Sequence, residues 1–237
     1  MSKSRKQLIS FRKLMRENAN PERAVNEKRY LKSPFKFFGV SLPLTEKIAK
    51  EFRRCNKDAV REYIIEIVKG LWTSDYHDEK RLGLRILQQY PKYLDFSLMP
   101  MLEEMLMVST GWDLVDDISI HLVGTVLEKD QRTYKYLKKW SGSHNFWMRR
   151  ASLISQVLLL RNGRGDKTLF CSIAEKMISE KEFFIRKAIG WGLREMSKAD
   201  SESVIAFLLK VKDRASGLTL REGSKILNES DRAMIFG

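Results

Sequence analysis

The sequence predicts an all-α protein built as an array of helix pairs. Three observations lead there. Apolar residues recur at helical spacing through most of the chain. No long alternating run and no Asn-Gly hairpin turn marks a strand. Proline is confined to Pro21, Pro34, Pro43, Pro91 and Pro100, which leaves the chain beyond free to form helices.

The periodic segments support this one by one. Residues 58–72, "DAVREYIIEIVKGLW", place Val60, Ile64, Ile67, Val68 and Leu71 on one face. Residues 81–90 do so with Leu82, Ile86 and Tyr90, and residues 146–160 with Trp147, Ala151, Ile154 and Leu158. Residues 200–212 offer Val204, Ile205, Leu208 and Leu209. Breaks fall at "ENANPE", "FFGVSLP", "LWTSDYHD", "VSTG", "WSGSHN", "RNGRGD" and "DRASG", which gives about a dozen helices with short linkers. From "VSTG" onward the helix pairs recur about every 35 residues, a spacing typical of two-helix solenoid repeats. Self-similarity is weak, so the repeats are degenerate. The expected form is a curved α-α superhelix, a single domain over residues 1–237, whose concave face holds an extended partner. The alternative is an irregular helical bundle.

Charge narrows the partner. The chain carries 44 Lys+Arg against 30 Asp+Glu, a net charge of +14, which points to a polyanion. The first 32 residues hold ten Lys/Arg and three Glu, half of that excess. Aromatic residues follow closely in "RYLKSPFKFF" (29–38). Cations mixed with rings suit a nucleic-acid backbone, although a charge run is more often a solvated face. Cys55 and Cys171, the two cysteines, form no disulfide framework. The N-terminal segment lacks the apolar core of a signal peptide, and no stretch is apolar enough to cross a bilayer. A cytosolic protein, and a monomer, is expected.

Two further stretches concentrate charge. In "SEKEFFIRKAIGWGLREMSK" (179–198), Phe184, Lys187, Trp191 and Arg194 step by three, four and three along one helix stripe. Alternating rings and cations do not suit a dry core, where an unpaired cation costs several kcal/mol. Gly190 and Gly192 flank Trp191; mid-helix glycine costs about 1 kcal/mol against alanine, so another backbone or a ligand is expected to approach closely. In "HNFWMRRAS" (144–152), Arg149 and Arg150 point in different directions. Arg150 lies near the edge of the buried side, as partner for a carboxylate or as a phosphate clamp.

The acidic run "STGWDLVDDIS" (109–119) is the exception in a basic protein. Thr110 and Asp113 match a capping box at a helix start. Asp117 reads as a solvated first-turn acid. Asp116 follows Trp112 by one turn on the same face, beside a buried stripe of Val115, Ile118 and Leu122. It is either a plain surface acid or a groove-lining one. A carboxylate in a phosphate-attracting groove is costly unless it does chemistry. Cleavage of an N-glycosidic bond would use it, because positive charge builds on the deoxyribose in the transition state. A cationic alkylated base leaves without a general acid, and an indole face adds cation–π attraction.

The sequence resembles the AlkD family of alkylpurine DNA glycosylases, which are helical HEAT-like-repeat proteins. The likeness runs over nearly the whole chain, through "NPERA…RYLKSPFKFFGV" (20–40), "WDLVD" (112–116), "NFWMRRA" (145–151), "KEFFIRKAIGWGLRE" (181–195) and "LTLREGSKIL" (218–227). The resemblance implies that Asp116 is the catalytic carboxylate and that Trp112 and Trp191 flank the damaged nucleotide. It implies that Arg150 contacts the DNA backbone and that Tyr30 lies near the lesion. Phe184, Lys187 and Arg194 complete the expected DNA-binding set. The implied substrate is duplex DNA with cationic N3- or N7-alkylated purines, hydrolysed without a metal; no cofactor is expected, and because no lysine nucleophile stands out no strand nicking is expected. His77, His121 and His144 lie far apart and form no convincing ligand cluster. Leu158 stands where the resemblance implies a lysine. Two alternatives use the same surface without chemistry: a helical-repeat protein that holds duplex or branched DNA, and a protein-interaction scaffold.

Overall fold

The computed structural model describes residues 1–237, which fold into sixteen α-helices with short 3-10 turns and no sheet. Their contacts gather into two compact units, Met1–Asp95 with Val108–Asp117, and Phe96–Met107 with Ile118–Gly237. The first unit holds α1 (Lys3–Glu17), α2 (Pro21–Leu31), α3 (Leu42–Cys55), α4 (Arg61–Trp72) and α5 (His77–Gln88). The second receives α6 (Met99–Met107), after which the chain returns to the first for α7 (Trp112–Asp116). The second unit then holds α8 (Gly124–Lys129), α9 (Tyr134–Trp140), α10 (Phe146–Ile154), α11 (Val157–Arg161), α12 (Lys167–Lys176), α13 (Phe183–Met196), α14 (Ser201–Val211), α15 (Gly217–Gly223) and α16 (Glu229–Phe236).

The helix starts are written in the sequence. Ser2, Asn20, Ser41, Asn145, Asp166, Asp200, Ser216 and Asn228 each cap a helix by accepting a backbone N–H. Pro21 and Pro43 occupy first-turn positions, where no N–H is needed. Every predicted break coincides with an interhelical segment.

The predicted repeat appears as a ladder of side-chain contacts. In the second unit Lys139 and Trp140 reach Glu103, Arg149 reaches Glu180, Arg161 reaches Glu195 and Lys210 reaches Glu175, all 31 to 37 residues apart. In the first unit Arg61 reaches Asp95 across 34 residues. These contacts join α9 to α6, α11 to α13 and α14 to α12, while Asp95 and Glu180 lie between helices; a regular spacing of this kind suits stacked helix pairs.

The core follows the apolar stripes with four corrections. Ile64, Ile67, Val68 and Leu71 are fully buried, but Val60 is the N-cap of α4 and is 61% exposed. The run 146–160 is not one helix: it breaks at Ser155 and Gln156, and Leu158 turns toward solvent. The face of α14 is Val204, Phe207, Leu208 and Val211, so Ile205 and Leu209 fall beside it. Tyr90 is buried but lies beyond the end of α5. That helix starts at His77, four residues earlier than the apolar pattern shows.

Its first turn, "HDEKR", is buried and forms a polar hub. Asp78 accepts N–H bonds from Phe38 and Val40, each at 2.8 Å, and Arg81 donates to the Val40 carbonyl. Glu79 takes Arg12 of α1 at 3.0 Å, and Lys80 donates to the Trp72 carbonyl. These bonds compensate the loss of water around the charges.

Candidate functional site

The acidic turn lies in the first unit. Gly111, not Thr110, is the N-cap of α7, and no side chain caps it. The capping-box reading therefore fails, and Asp113 has a different partner. Its Oδ2 lies 2.8 Å from Nε2 of His77, the first residue of α5. That imidazole is 1% exposed and stacks on Phe37, with centroids 4.6 Å apart and planes 14° from parallel.

Asp117 is not a solvated acid either. It is largely buried and accepts from Arg85 Nη2 at 2.9 Å. Burial raises its carboxyl to about 6, against the lowering effect of Arg85; Asp113 and Asp116 add repulsion. From Asp117 to Val123 the helix widens into a π segment before α8 resumes.

Trp112 and Asp116 stand one turn apart on α7, both half-buried, beside Leu114 and Val115 in the core. Ile118 and Leu122 are fully buried, completing the predicted stripe. Tyr30, near the end of α2, meets Trp112 edge-on. The other rings expected to stack on nucleic acid are used internally. Phe37 covers His77, Phe38 stacks on Tyr76, and Phe35 lies beneath the Lys80 ammonium.

The second group of predicted residues lies in the second unit. Arg150 is 4% exposed on α10. Its Nη1 donates to the Phe184 carbonyl at 2.8 Å, and the guanidinium sits 5.7 Å from the Phe184 ring centre. Phe184 also packs on Trp147 and Phe146, with centroids 4.9 and 6.4 Å away. Its neighbour Arg149 turns away into a two-pronged pair with Glu180.

The stripe of α13 is outward-facing, as its spacing predicts. Phe184, Trp191 and Arg194 are half-buried and Lys187 is exposed, while Ile185, Ala188, Ile189 and Leu193 form the core side. Arg194 is engaged by Glu222 of α15. The two glycines admit protein rather than ligand. A methyl group at Gly190 would strike Glu222 and the Thr219 carbonyl of α15, and one at Gly192 would strike the Phe170 ring.

Thus Tyr30 with Trp112, and Arg150 with Phe184, are brought into contact. His77 and Arg85, which hold the acids flanking Asp116, carry no sequence signal for that role. No cluster of three or more His, Cys, Asp or Glu is arranged to hold a metal ion. No helix is long and apolar enough to cross a membrane.

A family model described as DNA alkylation repair enzyme matches residues 11–227. A solved structure described as a predicted DNA alkylation repair enzyme from Enterococcus faecalis superposes with a TM-score of 0.81 at 23% identity. The match covers 90% of this chain and 98% of that one, and it shows a shared fold. No curated protein matches. With the family model spanning nearly the whole chain, the protein belongs to the DNA alkylation repair enzyme family.

Proposed function

We propose that the protein is a monofunctional DNA glycosylase that hydrolyses the N-glycosidic bond of cationic N3- or N7-alkylated purines in duplex DNA. The observation that carries this reading is the face shared by Trp112 and Asp116, with Tyr30 edge-on to the indole. It offers a carboxylate and two electron-rich rings within a strongly basic chain.

The chemistry follows from charge. As the bond from sugar to base lengthens, the bonding electrons leave with the base and the deoxyribose becomes cationic. Asp116 stabilises that developing charge and orients the water that attacks the anomeric carbon. An alkylated purine is already cationic and departs as a neutral base, so no general acid is required. Trp112 and Tyr30 attract the cationic substrate through their ring faces. Trp191, Phe184, Lys187 and Arg194 form the DNA-contacting surface of the second unit; Arg150, 4% exposed and bound to the Phe184 carbonyl, would turn out from that carbonyl to reach a phosphate. Arg194 would exchange Glu222 for a phosphate.

The test is release of free 7-methylguanine or 3-methyladenine from methylated DNA. Asp116→Asn is expected to retain the fold and duplex binding and to lose most of the release. Release at the wild-type rate in that variant would refute the assignment. Absence of release by the wild-type protein, with tight binding to duplex or branched DNA, would indicate a binding module.

A further inference from the structure

We propose that His77 and Arg85 are positioning residues that clamp the α7 turn through Asp113 and Asp117 and so set the direction of Asp116 and Trp112. The proposal rests on the reading of Asp116 given above. Asp113 of α7 and Asp117, its C-cap, are four residues apart, so their side chains leave the turn on one face. Both meet α5: Asp113 at His77 Nε2, 2.8 Å away, and Asp117 at Arg85 Nη2, 2.9 Å away. Trp112 and Asp116 form the adjacent i, i+4 pair. Each is the residue immediately before a clamped acid, so rotation of the turn moves both pairs together.

The turn needs such fixing. It is five residues long, lacks a side-chain cap at Gly111, and runs into a π segment at Asp117. A single short turn has little stability of its own, and π segments depart from the regular i to i−4 ladder. The clamp atoms, in contrast, sit on α5, a twelve-residue helix whose first turn is the buried hub. His77 stacks on Phe37 and has Asp113 Oδ2 2.8 Å from its Nε2, although neither ring nitrogen makes a directed hydrogen bond. Arg85 is steadied by Gln88 at 3.1 Å and lies 3.7 Å from Glu46 of α3.

One half of the clamp titrates near neutrality. Asp117 faces Arg85 and Arg81 of α5, and Asp113 and Asp116 of its own turn. Glu46 of α3 lies behind Arg85, and Glu27 of α2 lies 3.7 Å from Arg81. With its carboxyl raised to about 6, Asp117 is charged above that pH and grips Arg85 as an ion pair. Below it the ion pair is lost and the turn loosens.

The experiment uses the full chain and a duplex with one N7-methyl-2′-deoxyguanosine. Single-turnover release, duplex affinity, thermal midpoint and the indole 1H–15N resonance of Trp112 are measured for wild type, Asp116→Asn, Asp117→Asn and His77→Gln. The last two variants are expected to slow release by about tenfold or more, as misplacement of a reacting group does. Affinity is expected to stay within about twofold. The Trp112 resonance is expected to shift while that of Trp140 stays. Asp117→Asn is expected to melt no lower than wild type, which separates positioning from simple destabilisation. Wild-type release should fall through an inflection near pH 6, and Asp117→Asn should lack it. Arg85→Lys is expected to retain more activity than Arg85→Gln. Wild-type rates and an unmoved Trp112 resonance in both clamp variants would overturn the proposal while leaving the role of Asp116 intact. If wild type releases no base, the reading of Asp116 fails. The Trp112 resonance then decides alone: unmoved in both variants, it overturns the clamp; displaced, it supports it.

Discussion

The ring of Tyr30 meets the indole of Trp112 edge-on, with centroids 6.1 Å apart and planes at 89°. This geometry directs the positive edge of one ring at the negative face of another and is worth about 1 kcal/mol. It joins α2, a helix with no buried residue, to the turn that carries Asp116. Tyr30 itself is 73% exposed. Tyr30→Ala is therefore expected to change stability by no more than about 1 kcal/mol in urea unfolding. Base release should slow by about tenfold, and Tyr30→Phe, which keeps the ring, should stay near wild type. Full activity in Tyr30→Ala would remove this residue from the site.

Asp117 makes stability depend on pH in an unusual direction. Its carboxyl binds a proton more tightly in the folded chain, near 6, than at the ordinary 3.8. Between those values the native state holds the proton and the unfolded state does not, so this group's contribution to stability falls as pH rises from 4 to 6. Above 6 it levels off at a deficit of up to about 3 kcal/mol. Asp117→Asn is expected to raise the urea midpoint at pH 7 and to flatten the pH profile between 4 and 6. A lower midpoint at pH 7 would show that the Arg85 pair outweighs burial. Asp200 and Glu195 act oppositely, since ion pairs hold them below their ordinary values; their contribution is lost as acid protonates them.

Arg150 is a structural as well as a DNA-binding candidate. Removing its side chain strips the Phe184 carbonyl of a donor and the Phe184 ring of its cation. Arg150→Ala is expected to cost about 1–3 kcal/mol in urea unfolding. Activity assays on this variant belong well below its melting temperature. An unchanged urea midpoint would show that the guanidinium is dispensable to the fold.

Gly192→Ala tests the close packing of α13. The added methyl would collide with the ring of Phe170, which is fully buried and has nowhere to retreat. A cost of about 1–3 kcal/mol is expected. Gly142→Ala is the control: its nearest neighbour is the Lys139 carbonyl at 3.8 Å, an ordinary contact. Equal midpoints for the two variants would contradict the packing described.

The basic α1 predicts the salt response. Arg5, Lys6 and Lys13 are exposed, whereas Arg12 is committed to Glu79. Replacing Arg5 and Lys6 by Gln should reduce the slope of log affinity against log salt by about 1–2 if both meet phosphates. Release at saturating protein should be unchanged. An unaltered slope would place α1 away from the DNA.

The sequence alone determined the helical class, the break points and the repeat of about 35 residues. These follow from local chemistry: caps, prolines and apolar spacing act over one or two turns. It also marked Trp112, Asp116, Arg150 and Trp191 as a set, through motif likeness. What it did not determine is the use of each charge. Along the chain Asp113 reads as a capping acid and Asp117 as a solvated one, and both readings miss the partners that folding supplies. Tertiary structure gives Asp113 to His77 and buries Asp117 against Arg85. It likewise makes "HDEKR", whose first two residues read as part of a break, a buried hub, and gives Arg149 to Glu180. The partners of Asp113, Asp117 and Arg149 lie 31 to 36 residues away, and a carboxylate's environment is set by what packs on it. Burial and pairing belong to the assembled helices, so only the folded chain assigns them.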